Sequence, residues 1–142
     1  MKSIFINGPI SSNFIGESIQ KHSSKTGIGA HQIFLGQIRE DIKENRKIIG
    51  IEYSAYEKMV MEKVEIIREN IISQYQLQCL HIYHSLGIIK PGEICLFVFT
   101  SSTHRKMAQK SCEELVEIVK NELPIWGKEV WNNDQISWKL NS

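Results

Sequence analysis

Residues 51–76 read "IEYSAYEKMVMEKVEIIRENIISQYQ", and their hydrophobic period changes partway through. The Ile- and Tyr-rich run "IIGIEYSAY" (48–56) has the character of a strand. From Glu57 to about Gln76 the spacing is different. Val60, Val64, Ile67 and Ile71 recur at i, i+4, i+7 and i+11, which predicts one apolar face of a long amphipathic helix.

Upstream, "KSIFI" (2–6) predicts a short strand closed by the turn former Asn7-Gly8-Pro9. Ser11 or Ser12 is placed to cap a short helix carrying Ile15 and Ile19 on one face. "KTGIGA" (25–30) is a Gly-punctuated turn into a strand, "HQIFLGQIR" (31–39). Gly27-x-Gly29 precedes that strand rather than opening a helix, so it is no dinucleotide fingerprint. "EDIKENRK" (40–47) reads as a polar, charge-rich loop.

Downstream, "CLHIYHSLG" (79–87) and "EICLFVFTSS" (93–102) predict two strands around a Gly-Ile-Ile-Lys-Pro-Gly connection. A second long helix is expected over 103–122, with Ala108, Cys112, Leu115 and Val119 as its stripe and Pro124 ending it. "KEVW", "NNDQ" and "ISWKL" (128–140) form a terminal hairpin with a polar turn. Two long helices laid against a mainly antiparallel sheet make an α+β fold, and the expectation is one domain spanning 1–142.

Composition supports an ordinary hydrophobic core: the 142 residues are 42% hydrophobic and 23% charged. The net charge of +1 gives no global field for nucleic acid or anionic membrane, so any positive site must be local. The apolar run in "MKSIFINGPISS" is too short for a secretory signal, and no segment approaches a membrane span. Cys79, Cys95 and Cys112 are an odd count, far apart and without a Cys-x-x-Cys, and Cys95 and Cys112 sit in apolar-patterned segments, the pattern of buried free thiols in a reducing cytoplasm.

His81 and His84 form an H-x-x-H on a predicted strand, where residues three apart face opposite ways. No set of Cys, His or carboxylates has metal-site spacing, so no metal is expected.

"TSSTHRKMA" (100–108) offers the hydroxyls of Ser101, Ser102 and Thr103 where the second helix begins, beside free backbone N–H groups that suit an anion. His104 and Arg105 in the first turn oppose the helix dipole, at ~0.3–1 kcal/mol each when exposed. Two readings stand level: a bound anion such as a phosphate, or side chains that swing into solvent or pair with an acid. Lys120 in the last turn complements the dipole without needing a function. Lys128 and Arg39, each taken alone, read as ordinary edge-strand and loop residues. Arg105 and Lys120 lie roughly 22 Å apart along one helix, so both serve one small substrate only if the second copy of a dimer donates His104 and Arg105.

Six segments carry a resemblance when read in order: "GAHQIFLGQIR" (29–39), "IEYSAYEKM" (51–59), "HSLGIIKPGE" (84–93), "SSTHR" (101–105), "LPIWGKEVW" (123–131) and "SWK" (137–139). Together they resemble the large, catalytic subunit of molybdopterin synthase along nearly the whole chain. The resemblance implies an α/β-hammerhead fold in the cytoplasm. It also implies a homodimer that becomes a heterotetramer by accepting two small ubiquitin-like sulfur carriers ending in Gly-Gly. The activity implied is sulfur transfer from the carrier's C-terminal thiocarboxylate to cyclic pyranopterin monophosphate, making the dithiolene of molybdopterin with no cofactor.

Residue by residue, the resemblance makes Arg39 a substrate-pocket arginine with Gln37 and Ile38 beside it and Phe34 lining the pocket. His104 and Arg105 match a pair that reaches across from the second subunit to hold the terminal phosphate and pterin. Lys120 matches one of two catalytic lysines, acting as base or nucleophile. Gly127 and Glu129 match substrate-contacting positions. The departure is at Gly127, where the family pattern Pro-Ile-Trp-Lys-Lys-Glu has its second catalytic lysine. Lys128 follows at once, and glycine's backbone freedom suggests that it swings into the vacated role. The competing reading is a homologue that binds the carrier without turnover.

Overall fold

The computed structural model describes residues 2–140. Its elements in chain order are β1 (Phe5–Asn7), α1 (Ser12–Gln20), β2 (Ala30–Gln37), β3 (Ile42–Lys43), β4 (Arg46–Ala55), α2 (Glu57–Tyr75), β5 (Cys79–Ile89), β6 (Ile94–Ser102), α3 (Arg105–Glu122), β7 (Ile125–Trp131) and β8 (Ile136–Trp138). The sheet runs β2-β6-β5-β4-β7-β8, with β3 on β4 and β1 on β5. Every pairing is antiparallel except β1 with β5. This is the α+β architecture expected, with two long helices and the short α1.

β5 links the two halves of the sheet. Its first part, Cys79–His84, pairs with β6, and its last residues, Gly87–Ile89, pair with β4. Gly87, where the second segment begins, has φ +89°, a conformation that disfavours other residues. β6 is buried on both faces, which explains the unbroken apolar run "ICLFVF" (94–99). Each fully buried Phe97 or Phe99 side chain contributes roughly 1.5–3 kcal/mol relative to exposure.

On one face α3 packs against β2 and β6, and α2 against α3 and β5. The predicted stripes supply this core: Val60, Val64 and Ile71 from α2, and Ala108, Cys112, Leu115 and Val119 from α3 are buried, with Ile67 partly so. On the other face α1 covers Phe97 and Phe99 with Ile15, capped by Ser11 Oγ accepting from Phe14 N at 3.1 Å. Ile19 stays 39% exposed, because the turn after α1 lays His22 on the sheet instead.

Three local expectations need correction. Residues 40–47 are not a loop: β3 and β4 form a hairpin whose two turn residues, Glu44 and Asn45, have φ of 52° and 59°. Such a turn favours glycine, and its absence hid the hairpin from the sequence. β5 also continues through Gly87 to Ile89, leaving only residues 90–93 as the turn, with Gly92 at φ +88°. The Ser and Thr hydroxyls do not cap α3 either. Its N-cap is His104, without a side-chain cap bond, and Ser101 and Ser102 belong to β6. Their bonds go elsewhere: Ser101 Oγ pairs with His31 Nδ1 at 2.6 Å, and Thr103 Oγ1 accepts from Gln78 Nε2 at 2.7 Å.

Candidate active site

The end of β2, the last turn of α3 and the β4–β7–β8 ribbon surround an open cavity of about 660 Å³. A β-bulge between Gly36 and Gln37 breaks the β2 ladder and re-aims the chain that follows. Ile38 then anchors that chain, donating its N–H to Glu93 O at 3.0 Å and accepting from Gly92 N at 2.8 Å. Arg39 is thereby held at the cavity rim, its guanidinium 3.5 Å from Asp41. Phe34, Gln37 and Ile38 also line the cavity, as does Lys120 from α3.

The pleat of β7 sorts its residues. Gly127 lies opposite Tyr53 and Glu129 opposite Ile51, and all four line the cavity. Lys128 lies between them on the other face, opposite Glu52 and Trp138. Its Nζ is 3.8 Å from Glu52 and 5.7 Å from the Trp138 ring centroid. Lys128 is therefore not brought to the cavity. Turning it inward means reversing the parity of a strand paired on both edges.

The position that sequence reasoning did not single out is Lys139. It follows β8, donates its backbone N–H to Gly127 O at 2.8 Å, and lines the cavity beside Lys120. A Cβ built on Gly127 would sit 3.3 Å from Lys139 Cβ, 3.0 Å from Ile51 Cγ2 and 3.1 Å from Tyr53 Cε1. The space beside Gly127 is thus filled partly by a lysine from the neighbouring strand. The signal was available: in a β7–β8 hairpin, Ser137 opposes Glu129, and Lys139 shares its face two residues on.

The electrostatics of the cavity are uneven. Burial first, then the neighbouring Lys120 charge, draws Lys139 below the usual lysine range, with Arg39 adding a smaller push and Glu129 opposing. Burial holds His84 down to about 4, with Lys120 and Lys139 pushing the same way and the bond to Ser85 O opposing. His84 is consequently neutral at physiological pH; in the tautomer where Nδ1 donates to Ser85 O at 2.8 Å, Nε2 is the free acceptor. Burial pushes the Cys95 thiol up, and likewise the Tyr53 hydroxyl, 3.7 Å from its sulfur. A protonated, buried thiol is a poor nucleophile. Glu129 is fixed by a relay in which Trp131 Nε1 donates to Ser137 Oγ at 2.9 Å and Ser137 donates to Glu129 Oε1 at 3.0 Å.

His104 and Arg105 are exposed at the opposite end of α3 from Lys120 and do not line this cavity. One chain therefore brings together Phe34, Gln37, Ile38, Arg39, Lys120, Gly127 and Glu129, and leaves out Lys128, His104 and Arg105.

An α+β domain with Arg39, Lys43, Lys120 and Lys139 around one cavity, against the carboxylates of Glu129 and Asp41 among the described lining residues, defines a pocket suited to a small anionic molecule. A family model described as "MoaE protein" matches residues 10–122, and the chain belongs to that family. It is 32% identical over 119 residues to the molybdopterin synthase catalytic subunit of Bacillus subtilis, covering 84% of this chain and 75% of that protein. It is 36% identical over 115 residues to the subunit of the same name from Drosophila grimshawi, covering 80% of this chain. There the chain spans only 32% of the relative's length. The crystal structure of molybdopterin synthase from Staphylococcus aureus superimposes with a TM-score of 0.85 at 30% identity, covering 99% of each chain. Among the described residues, no helix is long and apolar enough to cross a membrane.

Proposed function

We propose that this chain is the catalytic subunit of a molybdopterin synthase, acting in the cytoplasm in molybdenum cofactor biosynthesis. It transfers sulfur from the C-terminal thiocarboxylate of a small Gly-Gly carrier to cyclic pyranopterin monophosphate. The observation that carries this reading is the cavity holding Arg39, Lys120 and Lys139 in a chain of this family. Each transfer replaces a carbon–oxygen bond of the pterin substrate with a carbon–sulfur bond, the displaced oxygen leaving on the phosphate or as water. Water cleaves the carrier's acyl–sulfur bond, leaving the carrier as its carboxylate.

The residues divide the work by their chemistry. Arg39, always charged, holds substrate phosphate at the rim. Lys120 and Lys139 face the reacting atoms, and Lys139, drawn below the usual lysine range, supplies the more readily deprotonated amine. It thus fills the role the family gives to the lysine absent at Gly127. His104 and Arg105 serve the cavity of the second copy in a homodimer, since α3 separates them from Lys120. Two carriers complete a heterotetramer.

A single-turnover assay with thiocarboxylated carrier and cyclic pyranopterin monophosphate, read by fluorescence of the oxidised dithiolene product, tests the proposal. Lys120→Ala and Lys139→Met are each expected to slow product formation by about 10²–10⁴-fold, the range for losing a general acid or base, while Lys128→Ala changes it less than tenfold. Carrier binding without product in the parent protein would favour the non-catalytic homologue, for which Gly127 is the supporting feature. Full activity in Lys139→Met would remove Lys139 from the reaction.

A further inference from the structure

A second cluster of reactive side chains lies on the α1-covered face of the sheet. Cys79 and His81 are two residues apart on β5, so the pleat directs both to this face, and His22 arrives from the turn after α1. One ligand-type atom from each of the three lies within 4.8 Å of the others. None of these residues lines the cavity described above. Their spacing in sequence carries no motif, because His22 lies 57 residues upstream of Cys79 and 59 upstream of His81.

We propose that His22, Cys79 and His81 form a binding site for a soft d10 metal ion, Zn(II) or Cu(I), held by two imidazole nitrogens and one thiolate.

Several features of the cluster favour this assignment. His22 Nδ1 is 2.7 Å from Ser18 O, a bond in which only the ring nitrogen can donate. That fixes the tautomer and leaves Nε2 as a lone pair aimed into the cluster. A backbone carbonyl holding the remote nitrogen is the usual outer-shell arrangement of a metal-binding histidine. His22 Nε2 and His81 Nε2 approach to 3.0 Å. Two nitrogens ligating one tetrahedral ion at ordinary bond lengths stand roughly 3.3 Å apart, so a small movement admits the ion. With His22 Nε2 as the acceptor, His81 Nε2–H donates across that contact, and metal binding shifts this proton to His81 Nδ1.

Lys25 Nζ donates to Cys79 Sγ at 2.9 Å. Metal binding releases the thiol proton, and the Lys25 ammonium is placed to keep donating to the ligated sulfur. Lys25 and Arg68, both positive, are close enough for their fields to reach His81, and of the three ligands Cys79 alone can be anionic. A cationic neighbourhood with one thiolate suits a monovalent ion better than a divalent one, and thiolate softness also selects Cu(I) and Zn(II) over harder ions. Phe99 packs against the His22 ring at 4.9 Å between centroids and excludes water from that side.

Metal titration of the folded, full-length apoprotein tests the proposal. Co(II) serves as the optical probe for the zinc arm, and Cu(I) is added anaerobically in competition with a chromophoric chelator. The expected result is one equivalent bound in at least one arm. In the Co(II) arm a sulfur-to-metal charge-transfer band should accompany it. Cys79→Ser abolishes that band, and Cys79→Ser and His81→Gln each weaken binding at least tenfold. Lys120→Ala binds as the parent does, since that lysine belongs to the other cavity. The proposal is overturned if the parent binds neither ion stoichiometrically, or if Cys79→Ser binds with parental affinity. Both substitutions are checked by thermal melts. Should either fail to fold, the parent's stoichiometry and Co(II) spectrum decide the matter.

Discussion

Replacing Gly127 by alanine probes both the packing and the chemistry of the cavity. The new methyl group would meet Ile51 Cγ2 at 3.0 Å, Tyr53 Cε1 at 3.1 Å and Lys139 Cβ at 3.3 Å. None of these is the free end of a flexible chain: Ile51 and Tyr53 are buried, and the third atom is tied directly to the backbone. Overpacking of this kind costs about 1–3 kcal/mol. Against it stands a gain of about 0.4–1 kcal/mol from restricting the unfolded chain. From the middle of the two ranges the net expectation is a loss of about 1.3 kcal/mol, within extremes of about 0–2.6 kcal/mol. At about 2–4 °C per kcal/mol for chains near this size, Tm falls by roughly 3–5 °C.

The internal control is Gly27→Ala. A Cβ there meets nothing within 4 Å and the backbone is not left-handed, so stability is unchanged or slightly raised. Urea unfolding of parent and both variants, followed by far-UV circular dichroism, measures the difference. Gly127→Lys carries the same clash and adds a charge beside Lys139, so restoring the family lysine should lower stability further without raising turnover. A Gly127→Ala variant as stable as Gly27→Ala would refute the argument that Lys139 and its neighbours occupy this space.

Three further outcomes follow from the same structure. His84 has a folded value of about 4 against 6.5 for a free histidine, so above pH 6.5 it is neutral in both states and its full contribution is present. Below 6.5 the unfolded chain takes the proton first, and stability falls until about pH 4, by roughly 3 kcal/mol in all; His84→Gln should flatten that share of the slope in melts between pH 4 and 7. Leu115→Ala removes a fully buried side chain from the α3 stripe and should cost about 2–5 kcal/mol in urea unfolding. Ser11→Ala deletes the α1 cap bond to Phe14 N and should cost about 1 kcal/mol, seen as faster amide exchange in the first turn of α1.

The fold was legible where one local rule dominated. The α2 and α3 stripes followed helical period because each helix buries a single face, and the β6 run was continuous because both faces of that strand are covered. The sequence was less informative where backbone geometry overrode composition. Glu44 and Asn45 adopt left-handed turn conformations without a glycine, and Gly87 bends β5 without ending it. Hydroxyls ahead of α3 looked like caps, but Ser101 and Ser102 were already committed to β6. Propensity sees neighbours in the chain; these outcomes depended on neighbours in space.

The same distinction governs the candidate site. Arg39, Lys120 and Glu129 were reachable from sequence because the resemblance carried them position by position. Lys128 was singled out, and Lys139 was not, because Lys128 is adjacent to Gly127 in the chain, whereas strand geometry brings Lys139 to the cavity. One residue along a strand reverses the face, so Lys128 points to Glu52. Twelve residues along, after a hairpin, Lys139 returns to the cavity side with its backbone bonded to Gly127. The glycine and the distant lysine are therefore best understood as one adjustment: a side chain on β7 gives way so that one entering from the chain after β8 has room. The stability of Gly127→Ala and the turnover of Lys139→Met measure its two halves separately. A loss in the first without a loss in the second would mean that the space is filled for packing alone.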